Sequence, residues 1–206
     1  MKKMILFCLI VVFAIKSLAF SATLYVPDEY PSIQWAISQS RSGDTIIVAP
    51  GRYYETINFM GKDIIVTSTD PDDPNIVAAT IIDADSDGST VTFENGETAD
   101  AVLKGFTITG GYGTRNDAFG TGGIWGGGIY CVAASPTITS NVITDNHAPF
   151  DEGTNPNNAR MGFGSAIGGL ETNMIVTRNI IKDNTTYAGA GLFIVGDPVI
   201  RDNLIY

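Results

Sequence analysis

One phrase recurs along this chain and constrains it more than anything else. It reads Ile138-Thr-Ser-Asn141-Val-Ile143-Thr-Asp-Asn146, then Val176-Thr-Arg-Asn179-Ile-Ile181-Lys-Asp-Asn184. It begins again at Ile200-Arg-Asp-Asn203-Leu-Ile205-Tyr206, and a degenerate copy stands upstream, Leu103-Lys-Gly-Phe106-Thr-Ile108-Thr-Gly-Gly111. A second phrase accompanies it, as Gly126-Gly-Gly-Ile129-Tyr and Gly189-Ala-Gly-Leu192-Phe. Self-similarity at this scale marks an array of stacked units. The copies start at 103, 138, 176 and 200, spacings of 35, 38 and 24. The shortest spacing reads as the bare unit. The longer ones carry inserts, about 112–125 and about 147–164, rich in Gly, Asn and Asp as loops are.

Within each unit, short β-branched runs alternate with Gly, Pro, Asn and Asp. Three strands of three or four residues fit, and a long helix does not. Such strands bury their faces only when units stack into parallel sheets around a shared core. Asn141, Asn179 and Asn203 share one phase and are expected to stack at a turn, because Asn tolerates left-handed geometry and bonds through its side chain. The phrase also resembles a leucine-rich repeat. Three copies, however, place Asn where that repeat needs an apolar residue, and no helical segment is readable within them.

Upstream lies Tyr30-Pro-Ser-Ile-Gln34-Trp-Ala-Ile-Ser, then Gly43-Asp-Thr-Ile-Ile-Val48-Ala-Pro-Gly51-Arg-Tyr-Tyr-Glu55. Ile33, Ala36 and Ile37 fall on one helical face, Ser32 suits the N-cap, and Gly43 is expected at C′. From about Leu24 onward the chain resembles right-handed parallel β-helix proteins of the pectin-lyase-like class. The resemblance implies an all-β fold, a right-handed parallel β-helix solenoid over 22–206 with a capping helix at about 32–42.

Residues 1–21 read as a secretory signal peptide: Met1-Lys-Lys is basic, Met4 to Ile15 is mostly apolar, and Ser17-Leu-Ala19 suits cleavage. The expected location is secreted or at a bacterial cell surface, with no membrane insertion after cleavage. Losing Lys2, Lys3 and Lys16 reduces 12 basic residues to 9 against 22 acidic ones, a net charge near −13. That argues against nucleic acid as a partner. Cys131 remains as the one mature cysteine, expected as a buried core thiol. Tyr206 falls inside a repeat, so the native solenoid is expected to continue.

Several groups are candidates for chemistry. Asp83-Ala-Asp85-Ser-Asp87-Gly88 through Glu94 matches the EF-hand loop pattern, but strand-like runs flank it. The reading that survives is a β-turn calcium site of Asp83, Asp85 and Asp87. Glu94 is expected too far along an extended segment to join it. Asp145 and Asp183 occupy matched places, about 4.8 Å apart if their units are adjacent. Such a pair invites a cation or acid–base work. Arg178 and Asp202 also share a phase and are expected to pair. The inserts hold Tyr112, Arg115, Trp125, Phe150 and Arg160, suited to a polysaccharide or cell-surface glycan. His147, the single histidine, has no zinc or nucleophile partners in the sequence.

The resemblance extends to enzymes on polyuronates. Pectate lyases pair an acidic calcium cluster with a basic proton abstractor, roles that would fall to Asp145 and Asp183 with Arg178 or Lys182. The signatures of pectin methylesterases and polygalacturonases are missing. The Gly-Gly-Gly-Ile and Asn-rich phrases are equally similar to bacterial surface β-helix proteins. The favoured expectation is a scaffold that binds or displays toward carbohydrate. The alternative is a polyuronate lyase or glycoside hydrolase.

Overall fold

The computed structural model describes residues 21–117, 122–150, 161–186 and 191–206. It is mainly β, with parallel sheets and two short helices, α1 (Ile33–Gln39) and α2 (Pro74–Ala79). The signal-peptide reading lies outside the described residues.

Three parallel sheets carry the fold. A first sheet has seven strands, Thr23–Val26, Thr45–Val48, Ile65–Ser68, Val102–Lys104, Thr137–Thr139, Ile175–Thr177 and Val199–Arg201. The second has six, from Gly51–Tyr54 to Leu204–Ile205, and the third five, from Ile57–Asn58 to Leu192–Val195. From Thr45 onward the chain visits first, second and third sheets in that order, again and again. The repeated phrase supplies the register. Leu103, Ile138, Val176 and Ile200 are paired neighbours in the first sheet. Ile108, Ile143, Ile181 and Ile205 are paired in the second. Strands of three residues leave one inward position each, and these apolar side chains form one core up to Val176 and Ile181, with Phe59 and Phe93 packed at 4.3 Å within it, while Ile200 and Ile205 in the last strands stay exposed.

The asparagines hold the corner between first and second sheets. Asn141 Oδ1 accepts from the Phe106 amide at 3.0 Å, and Asn141 Nδ2 donates to the Leu103 and Thr139 carbonyls, both at 3.0 Å. The Asn141 amide donates in turn to Asn179 Oδ1, and the Asn179 amide to Asn203 Oδ1. A second ladder runs parallel: Gly111 donates to Asn146 Oδ1, and the Asn146 amide to Asn184 Oδ1, each at 3.0 Å. Asn itself is not the left-handed residue, contrary to the sequence expectation. That conformation belongs to the residue before it, Ser140 (φ 55), Arg178 (φ 55) and Asp202 (φ 58), and to Asp145 (φ 55) and Asp183 (φ 53) in the second ladder. The left-handed residue turns the corner and aims the following Asn side chain inward, where its amide satisfies buried backbone.

At the N-terminal end, α1 lies over the core, burying Ile33, Ala36 and Ile37. Ser32 caps it by accepting from the Trp35 amide, and Glu55 accepts from the Ile33 and Gln34 amides. Carboxylate at a helix N-terminus meets the positive end of the dipole. The helix stops at a Ser40 cap, earlier than the spacing suggested, so Gly43 (φ 94) is not its C′ residue but opens the turn into Thr45–Val48. Lys62 Nζ reaches the Ile37 and Ser38 carbonyls instead, and burial lowers its pKa.

Cys131 is buried and free, as expected. Burial pushes its pKa from 9.0 up to about 12. The native thiol should resist an aromatic disulfide reagent at pH 8 and react promptly once the chain is denatured; rapid native labelling would contradict this burial. The folded pKa exceeds the unfolded one, so this group's share of stability is complete below pH 9 and is lost as pH climbs toward 12.

Candidate functional site

The two inserts meet. Thr114–Asn116 pairs antiparallel with Gly123–Trp125, which pairs in parallel with Met161–Phe163 of the second insert. This small sheet packs on the outer face of the third sheet. Its anchor is Trp125, stacked on Phe163 at 4.5 Å and edge-on to Phe193 at 5.3 Å, above Tyr130 and Leu170. Trp125 is 6 % exposed, so the tryptophan expected to face a ligand belongs to a satellite core. Phe163 lies in the second insert and Phe193 closes the second recurring phrase, but nothing local in either stretch shows that the two rings meet Trp125. The outward phase of Phe193, paired with Gly168 beside Tyr130, was the available signal.

The other insert candidates are scattered. Tyr112 is 46 % exposed and rests against His147, with ring centroids 5.3 Å apart. Arg115 pairs with Asp117 in solvent at 3.9 Å. Phe150 is exposed, and Arg160 lies outside the described residues.

Asp145 and Asp183 do come from neighbouring strands, since Thr144 pairs with Lys182 directly before them. Both are exposed corner residues in left-handed conformation, a place Asp fills readily. Asp145 accepts from Thr144 Oγ1, and Asp183 pairs with Lys182 at 3.4 Å. Arg178 reaches Asp72 at 3.9 Å, beside a 240 Å³ hollow under α2, and Asp202 pairs with Arg201. The expected Arg178–Asp202 pair therefore does not form: Arg178 turns toward the α2 segment, and Asp202 takes the arginine next to it.

Asp83 is nearly buried and bonded to Arg52, with its other oxygen accepting from the Asp85 amide. Asp85 and Ser86 are left-handed and Asp87 is exposed. Among the described residues no three His, Cys, Asp or Glu side chains are grouped to hold a metal ion.

The turn at 85–88 has another effect. It leads into the strand Val91–Phe93, and Asp87 before that strand and Glu94 after it both border one cleft of about 420 Å³. The floor is the outer face of the third sheet, where Asn58 and Thr92 are register partners. Gln34 of α1 forms one side, and Ser89 and Thr114 the other. Ser89 and Thr114 share a 2.7 Å hydroxyl contact, and Ser89 also donates to the Trp125 carbonyl. Glu94 accepts from Asn58 Nδ2 at 2.9 Å, and Gln34 Oε1 accepts from the Asn58 amide at 2.6 Å. The insert sheet thus walls one side of the cleft and the helix cap the other. The arrangement offers hydroxyls, amides and two carboxylates over a flat floor, a surface for a polar, extended ligand.

No protein-family model matches the chain, and neither a curated protein nor a solved structure matches it significantly.

Proposed function

We propose that the chain is a right-handed parallel β-helix, secreted or held at a cell surface, that binds or displays toward carbohydrate. The recurring first–second–third sheet order, the in-register asparagine ladders and the helix over one end support the solenoid reading. The observation that carries the binding reading is the cleft on the third sheet, whose lining is polar and whose walls are fixed by packed elements. Polar groups held on a rigid scaffold suit a hydroxyl-rich ligand.

The rival is a polyuronate lyase working through Asp145 and Asp183. Of its two basic candidates, Arg178 is turned away onto Asp72, and Lys182 is paired with Asp183 itself. Purified protein given calcium and pectate or alginate is expected to produce no ultraviolet absorbance from unsaturated uronate. A calcium-dependent rise that disappears in Asp183→Ala would replace binding with catalysis. Binding itself is tested by calorimetry against a panel of soluble glycans, where heat from none of them would sink the carbohydrate reading.

A further inference from the structure

We infer that the third-sheet cleft selects a saccharide bearing free amino groups and rejects polyuronates. The inference rests on the carbohydrate-binding reading above and names the substrate class of the same cleft. Hydrogen-bond capacity decides it. Gln34 commits its amide nitrogen to the Asn58 carbonyl at 3.2 Å and to Met60 Sδ at 3.5 Å. Asn58 commits Nδ2 to Glu94, and Ser89 donates to the Trp125 carbonyl. The Gln34 amide and the Ser89 hydroxyl are therefore engaged as donors, and the hydroxyls of Thr56 and Thr92, which are neutral, stay open among the described residues.

The carboxylates keep acceptor positions open. The Asp87 carboxylate takes no hydrogen bond among the described residues, and Glu94 has only Oε1 engaged. Among the described residues no Lys, Arg or His lines the cleft. An ionised carboxylate only accepts, and an ammonium only donates, three times over. A uronate chain would bring further carboxylates against Asp87 and Glu94 with no cation in the described lining to offset them. An amino sugar brings the missing donors together with the opposite charge, while its ring hydroxyls can meet Thr92 and Thr56. The chain's formal charge of −10 favours the encounter of a cationic oligomer in the same sense.

The test is calorimetric titration of the whole protein with glucosamine oligomers, their N-acetylated counterparts and oligogalacturonate. Glucosamine oligomers are expected to bind, at least about ten-fold tighter than the acetylated ones, a difference of about 1.4 kcal/mol. Oligogalacturonate should give no heat. The double variant Asp87→Asn, Glu94→Gln should weaken glucosamine binding about ten-fold, and added salt should weaken it in the wild type. A control of equal net charge, Asp100→Asn with Asp197→Asn, should leave it unchanged. Equal loss in the control would show attraction to net charge alone and overturn the inference. Acetylated or uronate oligomers binding as tightly would also overturn it, while leaving the carbohydrate-binding reading intact. Silence from every oligomer would remove both.

Discussion

Asn141→Ala is expected to destabilise the protein by about 3–5 kcal/mol. Asn141 is 1 % exposed, and its side chain serves the Phe106 amide and the Leu103 and Thr139 carbonyls together. Alanine removes all of these side-chain partners at once. Each buried backbone group left unsatisfied costs about 1–3 kcal/mol. Summed over two or three groups, the loss exceeds that of a typical point mutation. In a chain of this size each kcal/mol shifts the melting temperature by roughly 2–4 °C, so the midpoint should fall by about 6–20 °C. Thermal melts and urea titration measure it. The matched control is Asn95→Ala, an exposed asparagine, expected within about 0.5 kcal/mol of wild type. Equal midpoints for the two variants would show that the ladder contributes nothing particular.

The second large effect comes from sterics at the neighbouring ladder. Gly111 has ordinary backbone geometry, yet a Cβ there would stand 1.8 Å from the Gly127 carbonyl oxygen and 2.5 Å from its carbon. That carbonyl accepts from the Thr90 amide at 3.1 Å, while the Gly111 amide donates to Asn146. Backbone must therefore shift on both sides, and hydrogen bonds lengthen with it. Gly111→Ala is expected to cost about 3 kcal/mol or more, at the upper end of overpacking changes. Gly96→Ala separates space from conformation. Gly96 is left-handed (φ 80) with open space around it, so its alanine should cost only about 1–2 kcal/mol. If Gly111→Ala proved the milder of the two, the close approach of these backbones would be wrong.

Much of this fold is legible in the repeated phrase. An isoleucine two residues after each Asn, an Asn in constant phase and Gly at tight places dictate strand, corner and packing. The reader of the sequence sees the Asn141 ladder because its three copies align. The second ladder was equally present as Asn146 and Asn184, but its upstream member is Gly111, whose contribution is a backbone amide and thus invisible in side chains. The site was harder. Trp125 has the composition of a ligand platform, but burial depends on Phe163 and Phe193, which the chain brings in from 38 and 68 residues away. Asp87 and Glu94 stand at the two ends of the Val91–Phe93 stretch, and nothing in their spacing shows that both border one cleft. Gln34 reaches the same cleft from the capping helix, a meeting that only the third dimension arranges.

The two ladders have a direction. Each asparagine accepts from the main chain of the layer before it, and its own amide is received by the layer after it. Along each ladder the link from layer to layer is that single amide group, beside one inward aliphatic residue per strand; the inserts add contacts of their own around Trp125. A lineage carrying such a chain can therefore change its length by whole repeats, through unequal recombination at the level of the gene, without redesigning the junction. The helix and the cleft stay where they are, near one end, while the span behind them grows or shrinks. Length becomes a trait that selection can tune separately from the cleft.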